Sequence, residues 1–443
     1  MNFTHQKIIP YSAKVFYMFM MFMWVASVSD LTSFNFGRNP ILMPIYLIIL
    51  AYYYIKYCTY SYKPLIIFLS IFVLWIIASY LKFGNYIGFQ FQPIYSIIIA
   101  HVAFNIYEKD EFLRLFEKIL TRLCLLSLIV WILANILKDP FVQFMSFISV
   151  IKRSPPTETY SFLVGLGSQI EMGIRRNIGF TWEPGKFACW VLIGLFINLI
   201  RHKFIFFPYK KNKNFYILFI TLLTTLSTTG YSIIAILILF VLINKKSTSL
   251  KLLIIVSTVI IIPFVLRLSF MSEKIVGLMD LENGLSTIEY HRTHDEMDTV
   301  CPQRFTGCYV SFLNFIHDYW LGYNQLIKSY TSSFLFKGSV IVAPSEGIIN
   351  ILAKYGILVG AFFYYWLYKS SQYLSEVLNY NGKFIFFIFF IAISFSYDFW
   401  ENCILMYLYL CAFYKKYDYK YFDNTKTNKY INKYENKCNN NML

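Results

Sequence analysis

The run Arg175-Arg176-Asn177-Ile178-Gly179-Phe180-Thr181-Trp182-Glu183-Pro184-Gly185-Lys186-Phe187-Ala188 sets two guanidinium groups and a carboxylate just ahead of a long apolar stretch. Charge at such a boundary is costly unless it is paired or used, and guanidinium is the side chain shaped to grip a phosphate through two parallel hydrogen bonds. A carboxylate beside it can accept a proton if it sits within hydrogen-bond reach of the group that loses one. The plainer reading is structural: the arginines snorkel toward headgroups, and Glu183 with Pro184 begins a helix whose positive end favours the carboxylate. Further along, His291 and His294 with Asp295, Glu296 and Asp298 could hold a cation, against the bland reading of a solvated loop face. We assign no metal and expect no cofactor: the chain has no C-x-x-C spacing and no phosphate-binding glycine loop.

Those residues must be positioned by elements that are mostly apolar. Of 443 residues, 57% are hydrophobic and 14% charged, well below the roughly 25% charged that soluble chains carry. The fold class expected is an all-α polytopic membrane protein. Crossing the hydrocarbon takes roughly 17 to 25 apolar residues at the helical rise, and about twelve segments fit: 14–30, 40–56, 64–81, 91–107, 119–137, 185–201, 215–229, 231–244, 252–270, 347–368, 384–400 and 401–414. The short pairs 215–229 with 231–244 and 384–400 with 401–414 set the range at ten to twelve. Residues 1–414 read as one transmembrane domain, with long periplasmic loops at about 138–184 and 271–346. Residues 415–443, rich in Asn, Lys and Tyr, read as a disordered cytoplasmic tail.

The net charge of +16 raises the question of nucleic acid. The basic residues are scattered between apolar runs and form no stripe or binding motif, so we exclude it. Placing both termini in the cytoplasm gathers most short-loop lysines and arginines on that face and leaves Arg38 and Lys82 on the other, as the positive-inside rule requires. Of the eight cysteines only Cys301 and Cys308 share a polar loop, where a disulfide and two free thiols are both open.

Arg176, Gly179, Glu183, Pro184 and Ala188 resemble the pattern that Wzy-type O-antigen and capsular polysaccharide polymerases carry before a helix. Leu223-Thr224-Thr225-Leu226-Ser227-Thr228-Thr229-Gly230-Tyr231-Ser232 resembles that family's Thr/Ser-rich hairpin. Arg304-Phe305-Thr306-Gly307 with Phe315-Ile316-His317-Asp318-Tyr319-Trp320-Leu321-Gly322-Tyr323 is similar to its arginine and aromatic-glycine segment, and Ser345-Glu346-Gly347 through Gly356 and Gly360 to the helix after its large loop. Together these cover roughly residues 150 to 370. The related O-antigen ligases carry a histidine about eleven residues before the first of those paired glycines, and Ser345 stands there.

The resemblance implies a glycosyltransferase of the bacterial inner membrane. It passes a growing polysaccharide from undecaprenyl diphosphate to an incoming undecaprenyl-diphosphate-linked repeat unit at the periplasmic face. Arg176, Glu183 and Arg304 are then the catalytic candidates: the arginines neutralise the leaving diphosphate in place of a metal, and Glu183 accepts the acceptor hydroxyl's proton or pairs with Arg176. Arg175, Arg153, Gly179, Pro184, His317 and Ser345 are the substrate-binding candidates. The partners implied are lipid-linked oligosaccharides, membrane lipid and a polysaccharide chain-length regulator. The competing readings are an O-antigen ligase or other lipid-linked glycosyltransferase, and a flippase or transporter, whose polar groups would lie near the midplane.

Overall fold

A computed structural model describes residues 9–28, 42–58, 62–83, 92–149, 151–153, 159–171, 173–205, 209–245, 299–300, 304–322, 341–342 and 346–417, with positions 252, 256, 285 and 286. The described chain is mostly helical. Its helices are α1 (Tyr11–Val28), α2 (Leu42–Tyr57), α3 (Lys63–Phe83), α4 (Gln92–Ile106), α5 (Lys109–Leu137), α6 (Asp139–Ile148), α7 (Pro184–Arg201), α8 (Lys213–Thr224), α9 (Thr228–Asn244), α10 (Arg304–His317), α11 (Asn350–Val377), α12 (Ile385–Ser396), α13 (Cys403–Tyr409) and α14 (Cys411–Tyr417).

Eleven of the twelve apolar segments coincide with helices, and the ninth, 252–270, falls outside the described residues but for two positions. Length separates them: Lys63–Lys82, Lys109–Leu137, Pro184–Arg201 and Asn350–Val377 are long and apolar enough to cross a membrane, and several others are shorter apolar helices. Several boundaries differ from expectation, two of them in the C-terminal segments. The segment expected over 384–400 stops at Ser396, and the last segment is divided at Leu410 into α13 and α14. Asp398, Glu401 and Asn402 explain the first: they interrupt the apolar run, and the Asn402 side chain accepts from the backbone N–H groups of Ile404 and Leu405, capping the next helix instead of extending the last.

α7 is the hub. It is buried nearly all round and packs on α5, α8, α9 and α12, whereas α3 and α5 leave Leu74, Ile77, Leu81, Ile129, Leu133 and Ile136 exposed on their outer faces. Apolar side chains facing outward along helices of this length are what lipid-facing spans present.

The region between α5 and α7, expected as a loop, has structure of its own. After α6 come β1 (Ile151–Arg153), β2 (Thr159–Ser161) and β3 (Gly165–Gly167) in an antiparallel sheet, then the two-residue pair β4 (Ile170–Glu171) and β5 (Ile174–Arg175). A short parallel pair joins β6 (Thr299–Val300) to β7 (Ile341–Val342).

Candidate functional site

The entry into α7 is held by Asn177. Its backbone N–H donates to the Thr224 carbonyl at 3.0 Å, and its side-chain amide donates to Thr224 Oγ1 at 3.0 Å and Ser127 Oγ at 3.3 Å. Its carbonyl oxygen accepts from the Gly179 N–H at 3.0 Å. One side chain thus ties the loop to α5 and α8 and closes the next turn. Gly179 adopts φ +56°, and a Cβ there would run into the Phe187 ring one turn into α7. A glycine is required on both counts. Pro184 then takes the first helical position with Glu183 at the cap, so the carboxylate lies at the positive end of α7.

Arg176 follows from the same anchoring. Its Nε donates to the Thr225 carbonyl at 3.1 Å and its Nη1 to Gln169 Oε1 at 3.1 Å. The Thr/Ser-rich connection between α8 and α9 therefore serves as a backbone acceptor for the guanidinium. Burial draws the Arg176 pKa down from its ordinary value, against the opposing pull of the Glu171 and Glu183 carboxylates and the Tyr397 and Tyr231 phenols.

Arg304 opens α10 and reaches the same place from a distant part of the chain. Its Nη2 lies 3.5 Å from Glu183 Oε1, and its guanidinium stacks over the Tyr397 ring at 4.4 Å. Burial works against that charge, but the Tyr397 phenol and the Glu183 carboxylate hold its pKa above the ordinary value. Tyr397 is fully enclosed and its hydroxyl faces Glu183; burial, together with that carboxylate, pushes its pKa well up, so it stays a neutral donor. Room for the hydroxyl comes from Gly185, where any Cβ would collide with it.

The Tyr397 segment is itself pinned from below. Lys354 Nζ lies 2.7 Å from Asp398 Oδ2 and 3.3 Å from Glu401 Oε1, the Tyr355 hydroxyl donates to Glu401 at 2.5 Å, and Trp400 Nε1 donates to the Gly347 carbonyl at 2.8 Å. Four stretches, 175–185, 224–231, 304–311 and 394–401, thus converge at the head of α7. The arrangement sets the Arg176 and Arg304 guanidiniums beside the Glu183 carboxylate, at 25% exposure, and the Tyr397 phenol, a set suited to holding an anion and handling one proton.

Of the nine expected residues, the structure brings Arg176, Gly179, Glu183, Pro184 and Arg304 together. Glu183 has Arg304 as its ion-pair partner instead of Arg176. Arg175 is turned aside: its backbone is held by Trp131 and Asn135 of α5, and its guanidinium points to the Gly167 carbonyl at 3.4 Å. His317 is exposed at the far end of α10, about 20 Å of helix away from Arg304 at 1.5 Å per residue. Arg153 pairs with Thr159 through its backbone, but its side chain, like all of Ser345, lies outside the described residues. So do Cys301 and the group from His291 to Asp298, while Cys308 is a free thiol.

Tyr397 and Asn177 were missed by sequence reasoning. The signal for Tyr397 was the polar break Asp398, Glu401 and Asn402 in an apolar run, and for Asn177 its place between two of the chosen residues. No protein-family model matches this chain, and comparison with curated proteins returns no match.

Proposed function

We propose that this chain is a multi-pass membrane glycosyltransferase that polymerises a surface polysaccharide from repeat units carried on a polyprenyl diphosphate. The observation that supports it most is the meeting of Arg304 and Arg176, from two separate loops, around Glu183 at the head of a helix long and apolar enough to cross a membrane. In the reaction the acceptor hydroxyl oxygen bonds to the anomeric carbon of the donor sugar and the bond from that carbon to the diphosphate breaks. The electron pair leaves on the diphosphate, and the hydroxyl proton passes to Glu183.

Arg304 has a double task in this scheme. At 3.5 Å its contact with Glu183 is loose, so an arriving diphosphate can draw the guanidinium away and leave the carboxylate freer to take the proton. The orientation that serves this chemistry has both termini in the cytoplasm and the head of α7 on the outer face of the inner membrane.

One observation favours a second reading. α11 is broken at Gly356 beside the buried Glu401 and the partly buried Lys354 and Asp398, and broken helices with enclosed charge also serve transporters. Deleting the gene and resolving the surface polysaccharide on a gel separates the readings. A polymerase deletion keeps single repeat units on the lipid A core, whereas a flippase or ligase deletion removes them all. Arg176→Ala and Arg304→Ala reproduce the deletion while the protein stays in the membrane; long chains persisting in both would overturn the assignment.

A further inference from the structure

α10 is amphipathic in the reverse of the soluble sense. Thr306, Ser311, Asn314 and the adjoining Asp318 are buried against the body of the molecule, whereas Phe305, Tyr309, Phe312 and Ile316 are exposed at helical spacing and Tyr319 and Trp320 continue the exposed face. In water that arrangement wastes the apolar face and hides the polar one. It becomes favourable when the medium outside is hydrocarbon.

Two contacts give the depth. Trp75 Nε1 donates to the Leu321 carbonyl at 3.0 Å, and Trp75 stands eight residues, about 12 Å of helix, inside the Phe83 end of α3. The Ile357 N–H donates to the Tyr319 carbonyl at 2.7 Å, and Gly356 lies six residues, about 9 Å, inside the Asn350 end of α11. At Gly356 the helix opens, with φ +72°, and the backbone of Trp320 occupies the space a Cβ would need. Lys82, near the end of α3, pairs with Asp318. Both α3 and α11 are long and apolar enough to span a membrane, and both leave apolar side chains exposed at these levels, Leu74 and Ile77 on α3 and Leu358 on α11.

We infer that α10 and the turn 318–322 form a re-entrant element set into the outer leaflet, with the face of Phe305, Tyr309, Phe312 and Ile316 covered by lipid acyl chains. The backbone of the turn avoids exposure to hydrocarbon because α3 and α11 supply its hydrogen-bond partners, the condition under which non-helical chain is tolerated at membrane depth. Arg304 then sits at the lateral edge of the site, where an anionic lipid headgroup meets it from the bilayer plane. The inference rests on α3 and α11 crossing the membrane and does not require the polymerase reading.

The test uses the full chain with Cys301, Cys308 and Cys438 changed to Ser, reconstituted in phosphatidylethanolamine and phosphatidylglycerol vesicles. Phe312→Cys and Ile316→Cys are spin-labelled, with Leu74→Cys as the lipid reference and Lys211→Cys, in an exposed helical turn, as the water reference. We expect the labels at 312 and 316 to relax with dissolved oxygen and resist a water-soluble nickel chelate, as at 74. Accessibility to the chelate like that at 211 overturns the inference, as does protection from both agents, which means a protein partner covers the face. All four positions are exposed, so these variants should fold, and the readout needs no enzyme activity. A failure here is thereby distinguishable from a failure of the gel experiment.

Discussion

The two ends of α7 each carry a glutamate facing an arginine, and they are built in opposite ways. At the C-terminal end Glu117 of α5 has no solvent exposure; it pairs with Arg201, accepts from Asn198 at 2.8 Å and Asn214 at 2.7 Å, and faces His202 at 3.5 Å. At the N-terminal end Glu183 is 25% exposed and meets Arg304, 15% exposed, at 3.5 Å. Both pairs are charge-matched. The Glu117 pair is enclosed and saturated, which leaves no place for a ligand, whereas the Glu183 pair stays partly open to solvent. Charge at a helix end therefore says little about function until its remaining hydrogen-bonding capacity is counted.

Removing each carboxylate in turn should separate the two ends of α7 most clearly. Glu117→Ala leaves Arg201 and two amides without their acceptor, at a cost of about 3–5 kcal/mol for a buried pair losing one partner. We expect a large drop in the melting temperature of the detergent-purified protein and in its abundance in the membrane. Glu183→Gln should cost at most about 1 kcal/mol, the range of a partly exposed pair, while long polysaccharide chains disappear. Equal losses of stability would mean that the N-terminal pair is structural as well.

The middle-sized effect concerns geometry. Arg304→Lys keeps the charge but loses the planar group stacked on Tyr397 at 4.4 Å and the fork that can hold two oxygens. Arg201→Lys keeps a cation beside Glu117, whose amide partners remain. We expect Arg304→Lys to shorten or abolish the polysaccharide ladder at normal abundance, and Arg201→Lys to lower the melting temperature with the ladder intact. Gly185→Ala tests the same site without touching a charge: its methyl group displaces the Tyr397 hydroxyl, and chain length should fall while thermal stability falls by about 1–3 kcal/mol, as for an overpacked contact.

The difference between the two ends was only half legible in the sequence. Glu183 stood out because Arg175, Arg176 and Pro184 surround it at the edge of an apolar run, and the helices themselves follow from length and hydropathy. Glu117 lay inside a cluster of charged residues from Lys109 to Arg122 and looked like one more cytoplasmic charge; its burial depends on α7 and α8 arriving with Asn198 and Asn214. The same limit hid Tyr397, more than two hundred residues from Glu183, and it made His317 look near Arg304 when a rigid helix separates them. Periodicity reports which face of an element is apolar. It does not report which distant element will satisfy a polar group on that face.

Glu346 is a third acid beside this body of helices, and its removal should change the protein least. It has no solvent exposure, and one of its oxygens accepts from the Ile349 N–H at 3.0 Å while the other has no hydrogen-bond partner among the described residues. Burial raises its pKa, and the nearby Asp398 carboxylate adds to the shift; the Ser311 hydroxyl and backbone N–H groups only partly oppose it. Where Glu117 is held charged by its partners, burial shifts Glu346 toward its protonated form. The sign follows from proton binding: above the ordinary carboxylate pKa of about 4.3 the folded protein keeps a proton the unfolded chain has lost. This contribution to stability is full at low pH and fades as pH rises through the raised value. Glu346→Gln mimics the neutral acid and cannot ionise, so the melting temperature of the variant should gain on that of the parent as pH rises, by a few degrees at most. Parallel pH profiles for the two proteins would show that Glu346 is ionised throughout and held by a cation, which would make it a second saturated pair of the Glu117 kind.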